Sequence, residues 1–128
     1  MGGPYLFYLS HGFKQVTRMN IDTIAFYSKV SAIALQFGGA VSSTSYGTPA
    51  FKVNKKLFAR FWEDGRTLVV YTNEREKWMK KEPATFYITD HYKDHPLMLI
   101  NLSKVKKKDL ETLLFASWKL RAPIKYQK

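Results

Sequence analysis

Ser45–Gly65 reads SYGTPAFKVNKKLFARFWEDG, a stretch that combines a rigid turn entry, a tight hairpin and a string of cations. Tyr46-Gly47-Thr48-Pro49 has turn chemistry, because Gly permits positive φ and Pro presets φ and lacks a backbone donor. Phe51-Lys52-Val53 alternates apolar and basic, as a half-buried strand does. Asn54-Lys55 suits a two-residue hairpin loop, since Asn tolerates the left-handed conformation such a turn needs. Leu57–Trp62 returns as the partner strand, and Asp64-Gly65 marks a second turn before a third strand over 67–72. Strand alternation places Phe51, Val53, Leu57, Ala59 and Phe61 in one set and Lys52, Phe58, Arg60 and Trp62 in the other. Two linked hairpins carrying Lys52, Lys55, Lys56, Arg60 and Arg66 are therefore expected to form a basic β surface.

Upstream of this stretch, Asn20 is a good N-cap, and Asp22 sits in the first turn where the helix dipole favours an acid. Phe26, Val30, Ile33 and Phe37 recur at helical spacing and predict one apolar face of a helix ending at Gly38-Gly39. The small residues 38–45 read as a loop. Downstream, Asn73 and Glu76 resemble a capping box, and a short helix over 74–81 is stopped by Pro83. Strands are expected over 85–89 and 97–102, and a final helix over 107–121 buries Leu110, Leu113, Leu114, Ser117 and Trp118 before Pro123 ends it. The order is α-β-β-β-α-β-β-α: an α+β domain with a single antiparallel sheet of about five strands, a helix at each end and a short middle helix. Residues 1–18 have no clear period, and Met19 is a plausible natural start. They are read as an N-terminal appendage to one domain spanning 19–128.

Several motifs in this order resemble the MmcQ/YjbR family of small bacterial proteins. They are TSYGTPAFKV (Thr44–Val53), KLFARFWEDGRTLVV (Lys56–Val70), FYITDHY followed by HPLMLINL (Phe86–Leu102), and LLFASWKLRAP (Leu113–Pro123). The resemblance covers roughly residues 20–123. It implies a frataxin-like α+β fold, and a winged arrangement of the sheet has prompted a DNA-binding proposal for one member. The family's role is largely unassigned, and a fold does not fix a function. This chain departs from the family pattern at Gly38, Val41 and Ser42, where a proline and an acidic pair are more usual. It departs again at the lysine run 104–108, where a helix-starting acid and proline are more usual.

The 128 residues are 45% apolar and 16% aromatic, enough for one folded domain with a real core. No cysteine is present, which rules out disulfides, thiol catalysis and cysteine-built metal sites. No apolar run approaches the ~20 residues needed to span a bilayer, and PYLFYL (Pro4–Leu9) is too short for a signal peptide and has no basic region before it. A cytoplasmic monomer without membrane partners is expected. With 21 Lys and Arg against 10 acids, the formal charge is +11, a balance that favours polyanions such as nucleic acid.

No phosphate-binding glycine loop, GxSxG, HExxH or EF-hand pattern occurs, so neither catalytic residues nor a cofactor is expected. In DHYKDH (Asp90–His95) two His and two Asp lie close together. A metal site needs three or four converging ligands, and nothing elsewhere supplies the third, so no metal is assigned. Lys104, Lys106, Lys107 and Lys108 crowd the start of the last helix, where the dipole disfavours cations and a phosphate is welcome. Arg60, flanked by Phe58 and Trp62, is either part of a base-stacking or backbone-tracking surface or a covered and paired residue, and the sequence leaves both open. Two functions follow. The first is a non-catalytic nucleic-acid-binding module using Lys52, Lys55, Lys56, Arg60 and Arg66 on the hairpins, with Lys104, Lys106, Lys107 and Lys108 at the helix start. The second is a small-molecule or protein-partner domain with a cleft between the SYGTP turn and the HY loop, lined by Tyr46, His91 and Tyr92.

Overall fold

The computed structural model describes residues 21–127; the expected appendage 1–18 and the Asn20 cap lie outside the described residues. Helix α1 (Ile21–Ala34) leads into β1 (Ala40–Ser45), β2 (Thr48–Val53), β3 (Lys56–Phe61) and β4 (Thr67–Tyr71). After these come α2 (Arg75–Lys81), β5 (Phe86–Tyr87), β6 (Leu97–Asn101) and α3 (Lys107–Arg121), with single 3-10 turns at Asp90–Tyr92 and Ile124–Tyr126. All strands join one open antiparallel sheet in the order β1-β2-β3-β4-β6-β5. Among the described residues, no helix is long and apolar enough to cross a membrane.

The sheet has six strands, not five. The extra one is β1, in the segment whose composition reads as a loop. AVSSTS carries no apolar alternation because β1 is an edge strand and most of its side chains are exposed or half-exposed. What makes it a strand is its turn. Tyr46 (φ 53) and Gly47 (φ 79) both adopt left-handed conformations, the two-residue geometry that matches sheet twist, and Ser45 pairs with Thr48 directly across it. Thr48 and Pro49 thus belong to β2, and the turn is shorter than Tyr46–Pro49. The second hairpin is the expected one, with Asn54 (φ 51) and Lys55 (φ 68) closing Val53 onto Lys56. The strand expected over 85–89 shrinks to Phe86–Tyr87.

Strict alternation in β3 fails at one residue. Phe51 lies opposite Ala59 and Lys52 opposite Leu57, so Phe58 is the extra residue of a β-bulge. The bulge turns Phe58 into the core and moves Leu57 to the side of Arg60 and Trp62, exchanging the two residues between the sequence-based sets. Helix α3 repairs the ladder at this point. The Ser117 hydroxyl, fully buried, donates to Phe58 O at 2.5 Å and accepts from the Tyr71 backbone N–H at 2.9 Å. One turn on, Arg121 Nε donates to Leu57 O at 2.8 Å. Ser117 thus bridges backbone groups of β3 and β4 just beyond their last paired residues, Ala59 and Val70.

The main core fills the sheet face covered by α1 and α3: Val30 and Ile33, Phe51, Phe58 and Phe61, Leu68 and Val70, Met98 and Ile100. The α3 stripe is buried as its spacing predicts, through Leu110, Leu113, Leu114, Ser117 and Trp118. The capping box expected at α2 does not form. Glu74 is the N-cap without a side-chain bond, and its N–H donates instead to Thr72 Oγ1 at 3.0 Å. Gly65 (φ 68) fixes the β3–β4 turn against α1, because a Cβ there would lie 2.5 Å from Thr23 Cγ2.

Candidate functional site

The outward side chains of β3, β4 and β6 form the second face of the sheet, where Val69, Leu99 and Tyr92 make a small apolar cluster edged by Trp62, Tyr87 and Leu97. Part of this face is roofed by the segment between β5 and β6. Its position depends on Arg75, whose guanidinium donates to four backbone carbonyls: Tyr92 (3.0 Å), Lys93 (2.5 Å), His95 (2.5 Å) and Leu97 (3.0 Å). One cation in α2 thereby holds the DHYKDH segment folded down, with the Tyr92 side chain pressed onto the sheet.

Tyr92 meets Arg60 there. Arg60 donates from Nη2 to the Tyr92 hydroxyl at 3.3 Å, and from Nη1 to Thr48 Oγ1 at 3.3 Å and Phe61 O at 3.2 Å. Trp62 Nε1 donates to the same Tyr92 hydroxyl at 3.5 Å. Tyr46, at the tip of the first hairpin, covers the guanidinium with its ring centroid 5.3 Å from Cζ. His91 sets its ring edge-on to Tyr92 at 4.9 Å. These groups enclose a cleft of about 520 Å³ that also touches Leu57, Glu63, Val69, Tyr71, His95 and Leu97. Such a volume lies within the usual range for small-molecule sites. Tyr71 is held in its wall by Arg121, stacked 4.1 Å from the ring centroid.

Arg60 lies on the face that the helices leave uncovered. It is half-buried, flanked by Leu57 rather than Phe58 on the open face, and forms no ion pair with a described residue.

Lys52, paired with Leu57, lies on the same face of the sheet as Arg60, whereas the remaining cations do not share one surface with it. Lys55 and Lys56 stand exposed at the β2–β3 hairpin, whereas Arg66 lies beyond the opposite end of β3, roughly 17–20 Å away for a strand of this length. Arg66 O accepts from Leu102 N–H at 2.9 Å, so the lysine run belongs to the Arg66 end. The cations of the two linked hairpins are spread over both ends of the sheet because successive turns of a meander fall at alternate ends. Lys52 is half-buried on β2. Arg66 approaches Asp22 at 3.7 Å with both side chains about half-exposed, a contact worth little in water. Lys106 pairs with Glu82 at 3.7 Å, and Asp109 turns from the lysine run to Lys81 at 3.8 Å. Lys104, Lys107 and Lys108 are exposed and form no ion pair with a described residue. Among the described residues, no three His, Asp or Glu side chains converge as a metal site would require.

Sequence reasoning names Tyr46, His91 and Tyr92 as cleft residues and misses Arg75, Glu63, Tyr71 and His95. Arg75 carries the same signal as the lysine run, a cation in the first turn of a helix where the dipole disfavours it. Its reach to the far loop has no sequence signature.

Similarity to known proteins now meets this geometry. Residues 35–120 match the family model described as YjbR. Uncharacterized proteins of Mycobacterium tuberculosis and Mycobacterium bovis share 33% identity with the chain over 42 residues, an alignment spanning 33% of this chain and 33% of each relative's length. The crystal structure of Deinococcus radiodurans protein DR2400, a DUF419 domain, superposes with a TM-score of 0.64 at 16% identity, covering 73% of this chain and 76% of that one. At that identity the likeness speaks for the fold alone. With a six-stranded antiparallel sheet and three helices among its described residues and a family match over most of its length, the chain belongs to the YjbR family.

Proposed function

We propose that this chain is a non-catalytic binding module that takes a small molecule in the open-face cleft. The observation that carries the reading is convergence: Tyr46 and the His91-Tyr92 pair come from distant parts of the sequence and line one concave site with Arg60. Clefts of this size with a few directed polar groups are where ligands bind. The absence of cysteine in the whole chain suits a reducing cytoplasm, and the cytoplasmic, monomeric and frataxin-like readings are retained as parts of the proposal. The test is a two-dimensional amide NMR titration of the labelled protein with a panel of ring-bearing small molecules, charged and neutral. Shifts gathered at residues 46, 60 and 91–97 are the expected result. Shifts confined to Lys55–Lys56 or to 104–108, or no shifts at all, would overturn the reading.

A second reading, phosphate-backbone contact with nucleic acid, is favoured by the +11 charge and by Arg66, Lys104, Lys107 and Lys108 lying at one end of the domain. Its test is fluorescence anisotropy of a labelled duplex at two salt concentrations. Affinity should fall steeply with salt and be lost when Lys104, Lys107 and Lys108 are changed together to Glu. Binding insensitive to those changes would remove that end as the interface.

A further inference from the structure

We infer that the cleft is built for an anion carried on a flat ring, with Arg60 and Tyr92 holding the negative group and Tyr46 covering the ring. The inference rests on the cleft reading above and adds the chemistry of the ligand. The first ground is a surplus of donors. A guanidinium carries five N–H groups. Arg60 directs three hydrogen bonds, to Thr48, Phe61 and Tyr92, which leaves two N–H groups without a protein acceptor and no carboxylate within ion-pairing distance among the described residues.

The second ground is the direction of the Tyr92 hydroxyl. Its oxygen accepts from both Arg60 and Trp62, and it donates to no described residue. Its own proton is therefore free to serve an acceptor from outside. Two N–H groups of a half-buried cation and a phenol O–H, none of them accepted by a described residue, call for a carboxylate or phosphate, the groups that form short charge-assisted bonds with guanidinium. Glu63 is the one acid among the described residues that line the cleft, and it lies beyond ion-pairing distance of Arg60.

The third ground is Tyr46. A tyrosine at φ 53 occupies a conformation that Gly and Asn adopt at lower cost, and the residue is 85% exposed at the hairpin tip. Neither its backbone nor its burial favours tyrosine here. Its ring lies over Arg60, and together with Tyr71, Tyr92 and His91 it gives the cleft aromatic walls. Strain kept at an exposed aromatic beside an unpaired cation points to a ligand face.

The experiment uses matched probes on the full chain. Adenosine 5′-monophosphate is compared with adenosine, and indole-3-acetate with indole-3-acetamide, following the Trp62 indole N–H and the amides of 46 and 91–92 by NMR. At least one anion should bind about tenfold or more tighter than its neutral partner, the loss expected for a charge-assisted bond. Arg60→Gln and Tyr92→Phe should each remove most of that preference and leave weak binding of the neutral probe. Preference for the monophosphate alone identifies phosphate as the group, and preference for the acetate alone identifies carboxylate. Should Arg60→Gln fail to fold, Tyr92→Phe decides, since it removes one oxygen and keeps the ring. Equal binding of charged and neutral probes, unchanged in both variants, would overturn the inference and leave the cleft reading standing. Failure of every probe to move the cleft resonances would remove both.

Discussion

The two faces of this sheet are finished differently. Against α1 and α3, the core residues of β2, β3, β4 and β6 are apolar and closed, and Ser117 bridges backbone groups of β3 and β4 beside the bulge at Phe58. On the opposite face a smaller apolar cluster stops short, and around it stand an arginine and a phenol with N–H and O–H groups that no described residue accepts, and a strained tyrosine. A face that only needed covering would have met Arg60 with a carboxylate or replaced it with an apolar residue, because a cation withdrawn from water without a counter-charge is costly. The contrast separates what holds the chain folded from what it presents to a partner.

The comparison can be broken first on the covered side. Phe58→Ala should cost about 3–5 kcal/mol in chemical denaturation, the range for truncating a buried Phe. A loss below about 1 kcal/mol would mean that Phe58 points outward and the bulge is misplaced. Ser117→Ala removes the bridge between Phe58 O and the Tyr71 N–H, and should lower stability by about 1–3 kcal/mol. Arg75→Gln acts on the open side alone. Releasing the carbonyls of residues 92–97 should speed their amide exchange on the order of tenfold, while β3 and β4 keep their protection. The smallest effect has the opposite sign. Tyr46→Asn relieves a left-handed tyrosine and should raise stability by up to about 1 kcal/mol, while weakening ring-bearing probes at the cleft. A stabilised variant with unchanged binding would remove Tyr46 from the site.

Some of this was legible in the sequence for definite reasons. Helix α3 reads correctly because its apolar spacing is regular and burial follows spacing. The Asn54-Lys55 turn reads correctly because its chemistry is local. Strand β1 does not, since an edge strand of Ser and Thr has no hydrophobic pattern to show, and the tyrosine in its turn hides the hairpin. The exchange of Leu57 and Phe58 is invisible for a related reason: one inserted residue resets the alternation, and nothing in KLFARF marks where. The cleft was half legible. Tyr46, His91 and Tyr92 stand out as polar aromatics near turns, whereas Arg75 acts through backbone carbonyls that any sequence would supply. Charge is the least informative about geometry, because a count of +11 does not say where the cations lie, and the turns distribute them over both ends of the sheet.

The three tryptophans allow a direct measurement of the division between faces. Trp62 lies on the open face beside Tyr92, while Trp78 and Trp118 are buried in the helix-covered core. Adenosine 5′-monophosphate and indole-3-acetate are each titrated into the labelled protein at 200 mM salt, a concentration that weakens diffuse surface attraction. The indole N–H resonances are followed throughout. With at least one of the two anions, the account predicts that the Trp62 resonance moves and saturates while Trp78 and Trp118 stay in place. A Trp62 resonance that is unmoved by both, or that shifts only in step with the other two, would contradict it.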